Sequence, residues 1–143
     1  MKIKYVERSF IIDLNEKIIN EWNARHPESL EFTSASEARL DEILCMVEKT
    51  GNELAIKDQI LIKAAHLLGG LAWAQAFGGG NKRTAILSTA IFLRRNGLSI
   101  IFPKEEQREL RRLLFKIQDE RVQLQQEIID KLILYIRKNT KPL

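Results

Sequence analysis

The chain has 143 residues, of which 45% are hydrophobic and 29% charged, and its formal net charge is +4 at pH 7. These values are typical of a soluble globular protein, and the length suffices for a single domain, residues 1–143, with its own core. No apolar run approaches the roughly 20 residues of a membrane-spanning helix, and the charged first residues lack a signal peptide's apolar block, so we expect a cytoplasmic protein.

The single cysteine and the distribution of charge narrow the candidate functions. One cysteine, Cys45, excludes a scaffold of paired disulfides, and its apolar neighbours predict a buried, unreactive thiol. Between Gln59 and Pro103 the sequence has no Asp or Glu. The basic residues in that stretch are Lys63, Lys82, Arg83, Arg94 and Arg95. Such a block favours binding of anions and offers no carboxylate for a divalent metal.

The first part of the chain predicts two helices separated by a proline. An apolar stripe follows Asp13, a candidate N-cap, and Pro27 ends the first helix because the residue before a proline avoids the helical conformation. The stripe consists of Leu14, Ile18, Ile19 and Trp22, and we expect Trp22 in the core. Residues 34–37 have the spacing of a capping box, so a second helix should follow them and stop at Gly51.

The third helix is predicted to be the centre of the fold. Residues 57–76 are apolar on nearly all sides and contain no proline, which indicates a buried helix. The pair Gly69-Gly70 lowers helix propensity there, so it predicts close packing against a neighbouring helix.

The last part of the chain predicts three more helices and one extended segment. A fourth helix should begin near Asn81 and end at Asn96-Gly97. Residues 98–102 predict a short extended segment, two amphipathic helices should cover about 105–118 and 123–137, and the tail 139–143 should fray. The predicted fold class is all-α, a helical bundle around a central helix with at most a short strand or hairpin flap.

A glycine-rich loop between the third and fourth helices is the candidate binding site. Glycines at 78–80 allow the backbone to approach a ligand, and the N–H groups of the next helix's first turn favour an anion. Asn81 lies at the expected N-cap, and Lys82 and Arg83 add positive charge. The spacing matches neither a P-loop nor a dinucleotide-binding motif. A plain turn between two helices, with solvated basic residues, is an equally good interpretation of the glycines alone.

Residues 75–84 (QAFGGGNKRT) and 92–97 (FLRRNG) resemble the Fic/Doc (Fido) family, in particular its death-on-curing (Doc) branch. The family motif is His-x-Phe-x-(Asp/Glu)-(Gly/Ala)-Asn-(Lys/Gly)-Arg. Five residues match it in register, namely Phe77, Gly80, Asn81, Lys82 and Arg83. The arrangement of the upstream helices also agrees with that family, so the resemblance extends over most of the chain, although its specific part is short.

The resemblance implies a fold, an activity and partners. Family members transfer part of a nucleotide to a protein hydroxyl, and a Lys at position 82 implies transfer of phosphate from ATP rather than of AMP. The target would be a protein such as a translation factor, and an antitoxin-like protein would be a partner. The phosphates would be held by Gly78, Gly79, Gly80, Asn81, Lys82 and Arg83. Phe77 would anchor the loop, and Val47 to Ile56 would take the place of the flap that aligns the target.

Two positions depart from the family motif. Gln75 replaces the His that acts as general base, and an amide cannot accept that proton near neutral pH. Gly79 replaces the acid that holds Mg²⁺, so we do not expect a well-held metal unless Glu53 or Asp58 supplies a carboxylate. His66 is nine residues before Gln75 on the same helix, about 13 Å along its axis and too far to replace the base.

Three functions are compatible with these residues. The first is a Doc-like domain that binds nucleotide phosphates but has a degenerate, impaired active site. The second is an active phosphotransferase with a non-standard base. The third is a module that binds a non-nucleotide anion or a partner protein. Nucleic acid is the weakest of these ligands, because no DNA-reading motif is present and aromatic residues do not interleave with the basic ones.

Overall fold

The computed structural model describes residues 2–119 and 123–143, and these form six α-helices and two short β-strands. In chain order they are α1 (Arg8–Arg25), α2 (Glu37–Lys49), α3 (Ile56–Ala74), α4 (Asn81–Arg95), β1 (Leu98–Ile100), α5 (Lys104–Asp119), α6 (Gln126–Asn139) and β2 (Thr140–Pro142). The prediction of an all-α fold with at most a short strand element is confirmed for the described residues. Within them, no helix is both long and apolar enough to cross a membrane.

Helix α3 is the centre of the bundle, as its sequence predicts. It packs against α2, α4, α5 and α6, and most of its residues from Ile60 to Ala72 are buried. Its two glycines let neighbouring helices come close. A Cβ atom added to Gly69 would lie 2.6 Å from Cδ1 of Ile129 in α6, and one added to Gly70 would lie 2.9 Å from Cγ2 of Ile43 in α2. The predicted role of Gly69-Gly70 in close packing is therefore confirmed.

A buried lysine on α3 joins this helix to the end of α2. Lys63 is 0% exposed, and its Nζ donates hydrogen bonds to the carbonyls of Val47 and Glu48, each at 3.0 Å, and to Oδ1 of Asn52 at 2.8 Å. A cation is favourable there because the last carbonyls of a helix lack intrahelical partners and carry partial negative charge. The helix ends as predicted, since Gly51 follows the C-cap with φ +76°.

Helix α1 begins five residues before the predicted N-cap Asp13. Its buried residues, Ile11, Asn15 and Ile19, are spaced four apart and form one stripe along the helix. The start was misplaced because Asp13, a residue type common at N-caps, lies at an exposed position within the helix. Trp22 is only partly buried and its ring stacks on that of His26, so the prediction that Trp22 lies in the core is wrong.

Tertiary contacts also shift the start of α2. The N-cap is Ser36, whose Oγ accepts a hydrogen bond from the backbone N–H of Arg39 at 3.3 Å, and not Ser34 as the capping-box spacing predicts. The carbonyl of Ser34 instead accepts from the backbone N–H of Gly78. Pairing with a distant segment therefore keeps residue 34 extended and displaces the cap by two positions.

The carboxyl-terminal tail is paired with another strand, so the prediction that it frays is wrong. Strand β2 lies antiparallel to β1, with Leu98 opposite Pro142 and Ile100 opposite Thr140. The tail could not be placed from its sequence because its partner is 40 residues away. Cys45 is also misplaced by the sequence pattern, since it is exposed on α2 rather than buried.

Replacing Lys63 with Met should lower the free energy of unfolding by about 2–4 kcal/mol, because it leaves two carbonyls and an amide oxygen without their buried donor. Urea denaturation followed by circular dichroism measures this. Lys57→Met, an exposed position on the same helix, is the matched control and should change stability by less than about 0.5 kcal/mol. Equal stability of the two variants would contradict this role for Lys63.

Candidate functional site

The glycine-rich loop, residues 77–80, reverses the chain between α3 and α4. The turn uses two residues in the left-handed conformation, Gln75 with φ 49° and Gly80 with φ 70°. Gly80 is the N-cap of α4 and Asn81 is its first residue, so the prediction that Asn81 occupies the N-cap is wrong by one position. A glycine is required at 80 because the backbone there has positive φ and lies against Ile19 and Asn15 of α1.

Asn81 holds the loop closed through its side-chain amide. Its Oδ1 accepts a hydrogen bond from the backbone N–H of Phe77 at 3.1 Å, and its Nδ2 donates to the carbonyl of Phe77 at 2.9 Å. Phe77 itself is buried, so it anchors the loop in the core. The Asn81 side chain therefore supports the loop backbone, while its backbone N–H belongs to the first turn of α4.

A second side-chain amide, that of the buried Asn15 of α1, also bonds the loop. Asn15 is 2% exposed, and its Nδ2 donates to the carbonyl of Gly79 at 2.9 Å and to Oγ1 of Thr84 at 3.0 Å. Sequence reasoning missed this residue. The sequence shows only that a polar residue, Asn15, interrupts the apolar stripe of α1. That observation does not indicate a role until the hydrogen-bond partners of Asn15 are known.

The segment before α2 pairs with the other side of the loop. The N–H of Ser36 donates to the carbonyl of Ala76 at 2.7 Å, the N–H of Gly78 donates to Ser34, and Ala35 and Phe77 form an antiparallel bridge. The flap predicted at Val47–Ile56 is elsewhere. Val47 contacts Lys63, which lies 12 residues before Gln75 on α3, about 18 Å along the helix axis. The segment ending at Ser36 occupies the place beside the loop, so the predicted flap position is wrong.

Gln75 lies beside the loop with both ends of its side chain engaged. Its Nε2 donates to the carbonyl of Ala72 at 2.7 Å, and its Oε1 accepts from Nδ2 of Asn81 at 3.3 Å. The carbonyl of Gln75 accepts from Nη1 of Arg39 at 3.1 Å. Through these contacts the Gln75 side chain connects the end of α3 to the start of α4. Its amide has no group that titrates near neutral pH.

Lys82 and Arg83, in the first turn of α4, contact different neighbouring segments. Nζ of Lys82 donates to Oε1 of Gln118 at 2.5 Å and lies 4.3 Å from the ring centre of Phe115, both on α5. The guanidinium of Arg83 lies 5.1 Å from the ring centre of Trp22 on α1, and its Nη2 is 3.4 Å from Oε2 of Glu31. The first N–H groups of α4, which have no intrahelical partners, belong to the same turn as these two residues.

The carboxylate of Glu31 lies against the loop, although the sequence between Gln59 and Pro103 contains no Asp or Glu. Oε2 of Glu31 would be 2.7 Å from a Cβ atom added to Gly79. The two carboxylates that the sequence left open as metal ligands are not at the loop: Asp58, on the first turn of α3, lies 3.7 Å from Arg137, and Glu53 precedes α3 at that same far end. Sequence reasoning missed Glu31 because it is 48 residues from Gly79 along the chain.

An apolar groove of about 380 Å³ opens between α4 and α5, next to Lys82. Its residues are Lys82, Arg83, Ile86, Phe102, Gln107, Leu110, Arg111, Leu114 and Phe115. Leucine and phenylalanine side chains form its walls, and three cations lie around it. Such a groove suits a flat apolar group that carries an anionic substituent. His66 is not part of it, since His66 is on α3 with its Nδ1 at 2.9 Å from the carbonyl of Ile62.

The model of the Fic/DOC family matches residues 5–93, which is more than half of the chain. The match includes α1, α2, α3, the glycine-rich loop and α4 as far as Leu93, and therefore the residues that hold the loop in place. No curated protein matches the chain significantly.

Replacing Asn15 with Ala should lower the free energy of unfolding by about 1–3 kcal/mol, because the carbonyl of Gly79 and the hydroxyl of Thr84 lose a buried donor. Chemical denaturation measures the loss, and amide hydrogen exchange should show faster exchange at residues 78–80. Asn20→Ala, at an exposed position of the same helix, is the control and should have neither effect. Unchanged exchange in the loop of Asn15→Ala would show that Asn15 does not hold it.

Proposed function

This chain belongs to the Fic/DOC family, and from that membership we propose that residues 78–83, from the loop and the first turn of α4, bind the phosphates of a nucleotide, ATP. The observation that carries the proposal is the placement of Lys82 and Arg83 in the first turn of α4. Unpaired N–H groups and the helix dipole attract a phosphate there, and each side chain adds a charge-assisted hydrogen bond. The loop glycines let the ligand approach the backbone.

The groove between α4 and α5 supports a nucleotide over a simple anion. It begins at Lys82 and has an apolar wall formed by residues such as Leu110, Leu114 and Phe115. A nucleobase stacked in this groove would leave its phosphates at the start of α4. The exposed ring of Phe115 and the nearby guanidinium of Arg111 both suit a flat aromatic group.

We further propose that the domain is of the death-on-curing type and that its transfer reaction is impaired. Lys82 in the motif and the segment 92–97 favour that branch, in which the γ-phosphoryl group moves to a protein hydroxyl and ADP leaves. The hydroxyl must lose its proton, and Gln75 cannot accept it. Loss of a general base typically lowers the rate by 10²–10⁴-fold. A translation factor as the target and an antitoxin-like partner are further parts of this proposal.

An active phosphotransferase is the alternative, and it would need a different base. Within the described residues, His66 lies on α3 rather than at the loop, and His26 stacks on Trp22. No observation of the site favours this alternative over impaired transfer. A module for a non-nucleotide anion or a partner protein would use the same cations without the groove.

Substituting Lys82 or Arg83 with Ala should weaken ATP binding by about 10- to 100-fold, because each change removes a charge-assisted contact with phosphate. Isothermal titration calorimetry measures the dissociation constants. Arg94→Ala, at the exposed carboxyl-terminal end of α4, is the matched control and should bind as the unchanged protein does. Absence of ATP binding by the unchanged protein, with and without Mg²⁺, would refute the proposed function.

Restoring the base by Gln75→His should increase phosphate transfer by about 10²-fold or more. Incubation with ATP labelled at the γ position, Mg²⁺ and a cell lysate measures the transfer as labelled protein. Gln75→Asn is the control for disturbance of the turn, and it should stay as inactive as the parent. Strong labelling by the parent that disappears in Lys82→Ala would instead establish the active phosphotransferase.

A further inference from the structure

Glycine at position 79 makes room for a carboxylate from another segment. A Cβ atom at 79 would lie 2.7 Å from Oε2 and 3.1 Å from Cδ of Glu31, distances that real Cβ atoms rarely or never show. The Glu31 carboxylate therefore lies where a side chain at 79 would begin, and it would have to shift to admit one. Gly79 is the position where the family motif has its acid. An acid at that position and the carboxylate of Glu31 would therefore lie next to each other.

Glu31 is held in this position by its backbone. Its N–H donates to Oδ1 of Asn23 at 2.8 Å, and its carbonyl accepts from Nδ2 of Asn23 at 2.9 Å. The indole N–H of Trp22 donates to the carbonyl of Ser29 at 3.1 Å, which secures the preceding turn. The end of α1 thus fixes the segment, and the Glu31 side chain, 32% exposed, extends over Gly79 toward Arg83.

A lone carboxylate beside a phosphate-binding loop is unfavourable for binding a bare anion. Like charges a few ångströms apart repel, and Glu31 also occupies Arg83, one of the two cations available to the phosphates. A divalent cation between carboxylate and phosphate reverses this effect. Mg²⁺ usually binds to one or two carboxylates together with phosphate oxygens of the nucleotide, so one hard oxygen donor at this place fits it.

We propose that Glu31 replaces the acid missing from position 79 and holds a divalent cation on the nucleotide phosphates. In the free protein Glu31 and Arg83 are paired at 3.4 Å. On binding, Arg83 pairs with a phosphate instead of Glu31, and Glu31 binds the cation instead of Arg83. The bound cation would neutralise charge on the phosphates. This inference rests on the proposed nucleotide binding. It adds that a different segment supplies the metal ligand, so that of the two altered motif positions only the general base at 75 has no replacement.

The decisive test is the effect of Mg²⁺ on ATP affinity, measured by calorimetry on the full chain. The unchanged protein should bind ATP about tenfold more tightly with Mg²⁺ than with a chelator, within the usual range of coupling between two ligands. Glu31→Gln should lose that gain, while its affinity in the chelator stays equal or rises because a repelling charge is gone. Glu28→Gln, an exposed carboxylate three residues away, should retain the full gain.

A relocation experiment tests the same idea without relying on one variant. Gly79→Asp alone should lower the melting temperature because the new carboxylate lies a few ångströms from that of Glu31 and the two like charges repel. Combining it with Glu31→Ala should recover most of that loss and restore the Mg²⁺-dependent gain in ATP affinity. If the double variant recovers neither the melting temperature nor the Mg²⁺-dependent gain in ATP affinity, the proposal that Glu31 replaces an acid at position 79 is refuted.

The outcomes separate this inference from the function on which it rests. If the unchanged protein binds no ATP under any condition, both fail. If ATP binds and Lys82→Ala weakens it, but Glu31→Gln keeps the full Mg²⁺ gain, the proposed function survives and the role of Glu31 is refuted. If Glu31→Gln binds ATP more tightly both with Mg²⁺ and with the chelator, by the same factor, Glu31 only blocks the site and the inference is refuted.

Discussion

The turn between α3 and α4 leaves backbone polar groups that neither helix can pair, and two asparagine side chains pair them. Asn81 bonds the N–H and the carbonyl of Phe77 at once, and Asn15 binds the carbonyl of Gly79 from α1. A side-chain amide can do this because it carries donors and an acceptor in one plane. The positions of Lys82 and Arg83 depend on that turn because they lie in the first turn of the helix that follows it, and Glu31 lies against its Gly79.

The charges around the loop form a site with few carboxylates. The acid-free stretch from Gln59 to Pro103 puts Lys82 and Arg83 at the start of α4 with no carboxylate on the same segment. Glu31 comes from outside that stretch and pairs with Arg83. Such a pair is partly exposed and weak, so the two side chains can separate at small cost.

Local signals predicted the helices well and their boundaries less well. The central helix, the close approach at Gly69-Gly70 and the helix end at Asn96-Gly97 were predicted from propensity and periodicity, and each is confirmed. The displaced N-cap at Ser36 and the paired tail at Thr140 were missed, because a distant strand or loop provides their hydrogen bonds. The exposed Cys45 was missed because apolar neighbours in sequence do not determine which side of a helix faces the core.

The sequence by itself determined the all-α class, the position of the glycine-rich loop and the membership of the Fic/DOC family. These are properties of adjacent residues, where propensity, glycine conformation and motif spacing act directly. The tertiary structure alone decided that Asn15 supports the loop, that the segment before Ser36 lies beside it, and that Glu31 lies over Gly79. Those residues are separated by 42 to 64 positions, and only the packing of α1 against α4 and of α2 against α3 brings them together.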